Sequence, residues 1–156
     1  MDVDHGAAQP GSPTDEPGWQ EKRGRAIDAH ASALARKRET ESAKAREIIK
    51  SFVRQARERG LRETKLTAHA YDGSGAYRTG LSGWYINVAC TLAVDADGEF
   101  YILSVPSSWR SWLTKAEVRP EPPRLIIGEG GRDGSSIPIG QLLDQRLAGG
   151  DHWPPR

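Results

Sequence analysis

The chain has 156 residues, 37% of them hydrophobic and 28% charged, and these proportions are typical of a soluble globular protein. Its single cysteine, Cys90, excludes an intramolecular disulfide framework and a cysteine-rich zinc site. No apolar run is long enough to cross a membrane, and the N-terminus lacks the apolar core of a secretory signal. We therefore expect a cytoplasmic protein without membrane contact.

The net charge of +1 conceals a strong segregation of charge along the chain. Residues 1–18 hold four acidic residues and no Lys or Arg, and their lack of large apolar side chains predicts a disordered acidic tail. Residues 19–65 hold 14 Lys and Arg against 7 Asp and Glu. We divide the chain into this tail, a basic helical arm over 19–44, an α+β domain over 45–149 and a C-terminal tail over 150–156. An acidic tail that folded back on the arm would screen its charge.

A helix is predicted between Trp19 and Arg59, where no proline occurs and only Gly24 interrupts strong helix formers. The second half has apolar residues at i, i+3, i+4, i+7, i+8 and i+11, which is the spacing of a buried helical stripe. This stripe consists of Ala45, Ile48, Ile49, Phe52, Val53 and Ala56. Gly60 follows at the position of a left-handed C-terminal cap.

The first half of this predicted helix offers only Ile27, Leu34 and several alanines as apolar residues. It therefore has little to pack against within its own chain. We expect it to protrude, to fray, or to form a coiled-coil contact with a second copy or with a partner protein. The sequence leaves open whether the helix is continuous.

After Leu61 the apolar period changes from 3.6 to 2, which indicates strands. Residues 66–71 alternate as one short strand. Residues 84–95 alternate as either one long strand or two strands with a bend near Asn87 to Cys90. This alternation places Cys90 on the core side of the sheet, together with Trp84.

Further along the chain, residues 72–75 (DGSG) and 95–98 (DADG) are predicted turns, and residues 99–105 are a returning strand. A short helix over 107–113, a strand over 124–128 and a loop over 128–136 follow. The final helix, over 137–150, has the apolar face Ile139, Leu142, Leu143 and Leu147. We predict an α+β fold with an amphipathic helix, an antiparallel sheet of about four strands, and a small C-terminal helix, the helices covering one face of the sheet.

Four short motifs in this region resemble those of a family of small bacterial proteins of unknown function. They are YRTG at 77–80, GWY at 83–85, DGxFYxLSVP at 97–106 and GRDG at 131–134. The resemblance spans roughly residues 45–149 and leaves out the N-terminal arm. It implies that the domain is one folded unit, and it implies no activity.

Four cations lie in one row beside the apolar stripe of the predicted helix: Arg46, Lys50, Arg54 and Arg57. Such a row can contact a phosphate backbone, with Arg36, Lys37 and Arg38 as further candidates upstream. The alternative, which we favour, is that their aliphatic parts lie along the core edge while their charges stay in water.

Other motifs lack residues that their chemistry requires. The loop at 128–136 has Asp133 where a dinucleotide-binding loop needs glycine, and it has no phosphate-loop lysine. The DADG turn has Pro106 where a calcium loop needs glutamate. The four histidines are too scattered for a metal site.

Two further arrangements depend on how the strands pair. Cys90 and His69 would form a thiol–imidazole pair only on adjacent strands with matched faces. Tyr77, Tyr85 and Tyr101 would form an exposed surface for stacking nucleic-acid bases only if packing leaves them uncovered, and we favour packing.

The sequence thus favours a small non-catalytic interaction or regulatory module whose arm contacts a second copy or a partner protein. No catalytic residue, metal site or cofactor is predicted. A nucleic-acid-binding protein that uses the basic row is the second hypothesis. A small enzyme with His69, Asp72 or Cys90 in a cleft is the third.

Overall fold

A computed structural model describes residues 17–106, 118–129 and 134–154. Its elements are α1 (Pro17–Glu58), β1 (Thr64–Ala70), β2 (Ala76–Tyr85), β3 (Leu92–Asp95), β4 (Phe100–Ile102), β5 (Ser104–Val105), β6 (Ile126–Ile127), β7 (Ile137–Pro138), α2 (Ile139–Gly149) and a 3-10 turn (Gly150–His152). The fold is α+β, as predicted. The chain divides into two compact units, Met1–Lys37 and Arg38–Arg156.

Several predictions fall outside the described residues. They concern residues 1–16 of the acidic tail predicted over 1–18, the short helix over 107–113 and most of the GRDG motif. The last two residues of the predicted tail, Pro17 and Gly18, belong to α1. Among the described residues, no helix combines the length and the apolar character needed to cross a bilayer.

The second half of α1 packs as its apolar stripe predicts. Ala45, Ile49 and Ala56 are completely buried, and the Phe52 ring meets the Trp84 ring edge-to-face at 5.9 Å. After the helix, Gly60 has φ +70°, and the Leu61 amide donates to the Ala56 carbonyl at 2.9 Å. This is the hydrogen-bond pattern of a Schellman motif, so the predicted cap is confirmed.

The main sheet is mixed, with strand order β4-β3-β2-β1-β5. The predicted antiparallel sheet is therefore wrong at one pair, because β5 runs parallel to β1. Only Leu103 separates the edge strands β4 and β5, so the sheet must curl until its two edges meet. The Leu103 amide donates to the Thr91 carbonyl at 2.7 Å, and the Leu103 carbonyl accepts from the His69 amide at 2.8 Å.

The two faces of this curled sheet carry separate cores. On one face, Trp84, Ile86, Val94 and Phe100 pack with α1 and α2. On the other face, buried residues from all five strands pack together: Leu66, Ala68, Ala70, Tyr77, Ala93, Tyr101, Leu103 and Val105. The predicted final helix is confirmed as α2, with its four apolar residues buried.

The aromatic pairs divide between these two cores. Tyr77 and Tyr101 are buried, and Tyr85 is half-buried against the second core. An exposed tyrosine surface for stacking bases is therefore absent from the described part of the sheet, since side-chain alternation turns these rings into the second core.

The chain bends between β2 and β3, so the interpretation as two strands is correct. The Asn87 carboxamide oxygen accepts from the amides of Thr91 and Leu92, each at 3.0 Å, and this closes the bend. Cys90 lies in the bend with φ +55° and is half-buried, while Val88 is exposed. The prediction that Cys90 belongs to the core face is wrong, because the local Asn87 hydrogen bonds break the alternation.

The end of α2 carries a buried cation. The Arg146 guanidinium donates from Nε to the Tyr85 carbonyl at 2.8 Å and from Nη1 to the Gly150 carbonyl at 2.7 Å. It also lies 5.5 Å from the centre of the Trp153 ring. Arg146 thus joins the C-terminal segment to the end of β2.

Candidate functional site

The first unit presents an uncovered helix. Every residue from Gly18 to Lys37 is exposed. Three of these residues have large apolar side chains: Trp19 is 51% exposed, Ile27 is 59% exposed and Leu34 is 42% exposed. Single exposed apolar side chains are ordinary, whereas apolar side chains that are grouped on one side of an element mark a contact surface.

These three residues lie on one side of the helix together with basic residues. At 100° per residue, six side chains with spacings of 4, 4, 3, 4 and 3 fall within an arc of about 80°. We call this set the arm stripe: Trp19, Arg23, Ile27, His30, Leu34 and Lys37. Apolar and basic residues alternate along it over about 27 Å.

The acidic residues of the described part of this unit lie away from the arm stripe. Glu21 and Asp28 are about 140° to 160° from the centre of the stripe, on the opposite side of the helix. Within the stripe, the Arg23 guanidinium carbon lies 5.4 Å from the centre of the Trp19 ring. The stripe is therefore an amphipathic strip whose charged members are all basic.

The second unit holds the predicted basic row, and its four cations are exposed on one side of α1. Lys50 Nζ pairs with the Glu47 carboxylate at 3.0 Å. Arg54 Nη2 donates to the Ser51 hydroxyl at 3.4 Å, and Arg57 Nη2 donates to the Ala96 carbonyl. Each of these three cations thus has a polar contact within the unit.

Three members of the row line a cleft of about 500 Å³. The lining residues are Lys50, Val53, Arg54, Arg57, Glu58, Ala96, Asp97 and Gly98. The opposite wall is the DADG turn, which the sequence predicted as a turn but not as a neighbour of this helix. Since Glu58 and Asp97 also line the cleft, its charge is mixed rather than uniformly basic.

A buried carboxylate holds this opposite wall. The Asp95 carboxylate accepts from the amides of Asp97 and Glu99, at 3.0 and 2.9 Å, and from the Tyr101 hydroxyl at 3.1 Å. Burial, reinforced by the nearby Asp95 charge, raises the pKa of Tyr101 to about 12. The turn is therefore a rigid wall.

The other predicted nucleic-acid contacts do not join this cleft. Arg38 lines a separate cavity of about 270 Å³ with Glu41, Ser42, Pro122 and Arg124. Arg36 and Lys37 belong to the first unit, where both are exposed. The structure therefore brings Lys50, Arg54 and Arg57 together, with Arg46 beside them on the helix.

The candidate catalytic residues each have separate contacts. His69 is exposed on β1 and pairs with Ala76 of β2. The Cys90 thiol donates to the Val88 carbonyl at 3.8 Å within its own bend. Burial raises the pKa of the Cys90 thiol, although nearby Arg146 partly offsets this rise. Asp72 accepts the Ser74 amide at 2.9 Å within its own turn. These residues do not form a thiol–imidazole pair.

Across 17–106, 118–129 and 134–154, no group of three or more His, Cys, Asp or Glu side chains is arranged to hold a metal ion.

The predicted helix boundary at Trp19 does not by itself reveal the arm stripe. The signal that does so is the spacing of Trp19, which precedes Ile27 by eight residues and Leu34 by fifteen and so lies on the same side of the helix. Asp97 and Gly98 are about forty residues away from Arg57 in sequence, and no local pattern indicates that contact.

The chain was compared with protein-family models, with curated proteins and with solved structures, and none of the three comparisons gave a match.

Proposed function

We propose that this protein is a non-catalytic interaction module and that the arm stripe on residues 17–37 binds a helix of another protein. The observation that supports this proposal is the uncovered row of Trp19, Ile27 and Leu34 on the part of α1, residues 18–37, in which every residue is exposed.

In proteins, packing of an amphipathic face supplies most of the stability of a helix. Residues 18–37 of α1 are all exposed, so this part of the helix has no such packing. Covering Trp19, Ile27 and Leu34 removes apolar surface from water, and each large side chain contributes up to about 1.5–3 kcal/mol when fully buried. A second helix covers such a narrow stripe with side chains at spacings of three and four.

The test is site-specific photo-crosslinking of the full chain in its host cells. A photoreactive amino acid replaces Ile27 in one variant and Ser32, on the opposite side of the helix, in a matched control. We expect a discrete adduct from the Ile27 position and none from the Ser32 position, because only the arm stripe contacts the partner. Mass spectrometry identifies the attached protein, and the purified pair must then bind with a measurable Kd.

Replacing Trp19, Ile27 and Leu34 together with serine should abolish that binding while the second unit keeps its thermal unfolding midpoint. Adducts of equal yield from both positions, or from neither, would contradict the proposal. An adduct with the mass of two copies would identify self-association instead of a partner protein.

A second candidate function is nucleic-acid binding through the basic row. The observation that favours it is the exposure of Arg46, Lys50, Arg54 and Arg57 on one side of α1. Glu47 and Glu58 lie close to the same row and lower its positive potential, which is why this function ranks second.

Fluorescence anisotropy with duplex and single-stranded probes tests the second candidate. If three cations neutralise phosphates, the logarithm of the binding constant should fall with the logarithm of salt concentration at a slope of about −3. Replacing Arg46, Lys50 and Arg54 with glutamate should abolish this binding, whereas the same change at Lys44, Lys65 and Arg78 should not. Binding that is absent at low salt, or that both triple variants lose equally, refutes this function.

A further inference from the structure

The charge pattern of the arm stripe specifies its partner more closely. We propose that the stripe binds an acidic amphipathic helix, one in which apolar residues alternate with Asp or Glu at spacings of three and four. This inference rests on the proposed function and adds the chemistry of the partner to it.

The charges that the stripe presents to a partner are all positive. Arg23 and Lys37 lie on the stripe, whereas Glu21 and Asp28 lie on the opposite side of the helix. The charged side chains that a covering helix meets on the stripe are therefore all cations. Carboxylates at the facing positions neutralise these cations, while Lys or Arg there would be repelled.

A second copy of the same stripe is a poorer partner than an acidic helix. In a parallel pair, Arg23 faces Arg23 and Lys37 faces Lys37 of the other chain. In the antiparallel register that sets Trp19 against Leu34, Arg23 faces His30. Both arrangements place basic residues against basic residues, so the stripe complements an acidic helix better than it complements itself.

The stripe also fits a protein helix better than it fits an anionic lipid surface. Helices that lie in a membrane interface separate a broad apolar face from a charged face. Here Arg23 and His30 interrupt the apolar residues within an arc of about 80°. Inserting Trp19, Ile27 and Leu34 into the acyl chains of a membrane would also bury the side chains of Arg23 and His30 there. A facing protein helix can instead place a carboxylate opposite each cation.

Trp19 and Arg23 show how the apolar and basic parts act together. The Arg23 guanidinium already lies over the Trp19 ring at 5.4 Å, which holds its donors near the apolar contact. A partner carboxylate at this point gains a charge-assisted hydrogen bond beside a large apolar contact. Such a combination of an aromatic residue and an arginine is typical of the residues that dominate binding energy.

The test uses the full chain and two synthetic helical peptides of the same length. Both carry Leu at alternating spacings of three and four, with Glu at the remaining facing positions in one peptide and Lys in the other. We expect the Glu peptide to bind, with an affinity that falls as salt rises from roughly 20 to roughly 500 mM because screening shortens the range of the ion pairs. The Lys peptide should not bind.

A charge-reversal pair of variants makes the test specific to the stripe. Arg23→Glu with Lys37→Glu should weaken binding of the Glu peptide about tenfold or more and should create binding of the Lys peptide. Arg25→Glu with Arg36→Glu changes the net charge by the same amount on the other side of the helix. This control should leave the preference for the Glu peptide unchanged.

The outcomes separate the inference from the function on which it rests. Equal binding of both peptides, or an equal loss of Glu-peptide binding in both double variants, refutes the acidic partner. The interface itself still stands in that case if the triple serine variant of Trp19, Ile27 and Leu34 binds neither peptide. Binding that survives the triple serine variant refutes the interface itself. Binding of vesicles rich in anionic lipid, with no binding of the Glu peptide, refutes the acidic helix in favour of a membrane surface.

Discussion

Replacing Gly83 with alanine is expected to lower the free energy of unfolding by about 3 kcal/mol or more. Gly83 is buried in β2, where it pairs with Thr64 of β1 on one side and with Asp95 of β3 on the other. A β-carbon at this position would collide with the Val94 carbonyl oxygen and would lie 2.6 Å from the Asp95 α-carbon. These are backbone atoms, so relief requires β3 to move, and a shift of β3 disturbs both cores.

Denaturant unfolding followed by circular dichroism measures this loss, with Gly140→Ala as the control. Gly140 lies in α2, and a β-carbon there would meet only Ile48 Cγ2, at an ordinary contact distance of 3.9 Å. Alanine favours helix over glycine, so the control should be neutral or stabilising by up to about 1 kcal/mol. A Gly83→Ala protein as stable as the wild type would show that β2 and β3 are not packed this closely.

Replacing Arg146 with alanine is expected to cost about 3 kcal/mol of stability. The guanidinium is buried, and burial lowers the pKa of Arg146, although nearby Asp151 partly offsets this effect. Its removal leaves the Tyr85 and Gly150 carbonyls without their donor and removes the cation beside Trp153. Arg146→Lys should recover only part of the loss, because an ammonium lacks the planar fork that reaches both carbonyls.

Thermal unfolding of Arg146→Ala compared with Arg62→Ala checks this expectation. Arg62 pairs with Asp151 on the surface, with Nε 3.2 Å from the carboxylate, and solvent screens such an exposed pair, so its loss should change the stability far less than the loss of Arg146. Equal losses for the two variants would contradict the structural role of Arg146.

Local patterns predicted the elements that depend on neighbouring residues in sequence. The stripe from Ala45 to Ala56 predicted which side of α1 is buried, and Gly60 predicted the helix end, because both depend on spacings within a few turns. The alternation over 84–95 fits either one strand or two, since an alternating pattern does not reveal that the Asn87 side chain hydrogen-bonds to the nearby backbone.

The pairing of distant strands could not be predicted in the same way. The parallel contact of β5 with β1 depends on the path of the whole chain. The residues around Leu103 have the pattern of a single returning strand, so the sequence does not indicate that β5 continues past β4 to a second partner. Of the two candidate sites, the arm stripe can be predicted from residue spacing alone when Trp19 is included. The cleft beside Arg57 cannot be predicted in this way, because its second wall is the turn at Asp97, about forty residues further along the chain.

Leu103 gives the main sheet a property that an open sheet lacks. A strand at the edge of an open sheet can peel away while the others remain paired. Here the backbone of Leu103 is bonded to β1 through His69 and to the bend before β3 through Thr91. Detaching the segment from Phe100 to Val105 therefore opens the sheet on two sides at once, so we expect these strands to unfold in one cooperative step rather than one strand at a time.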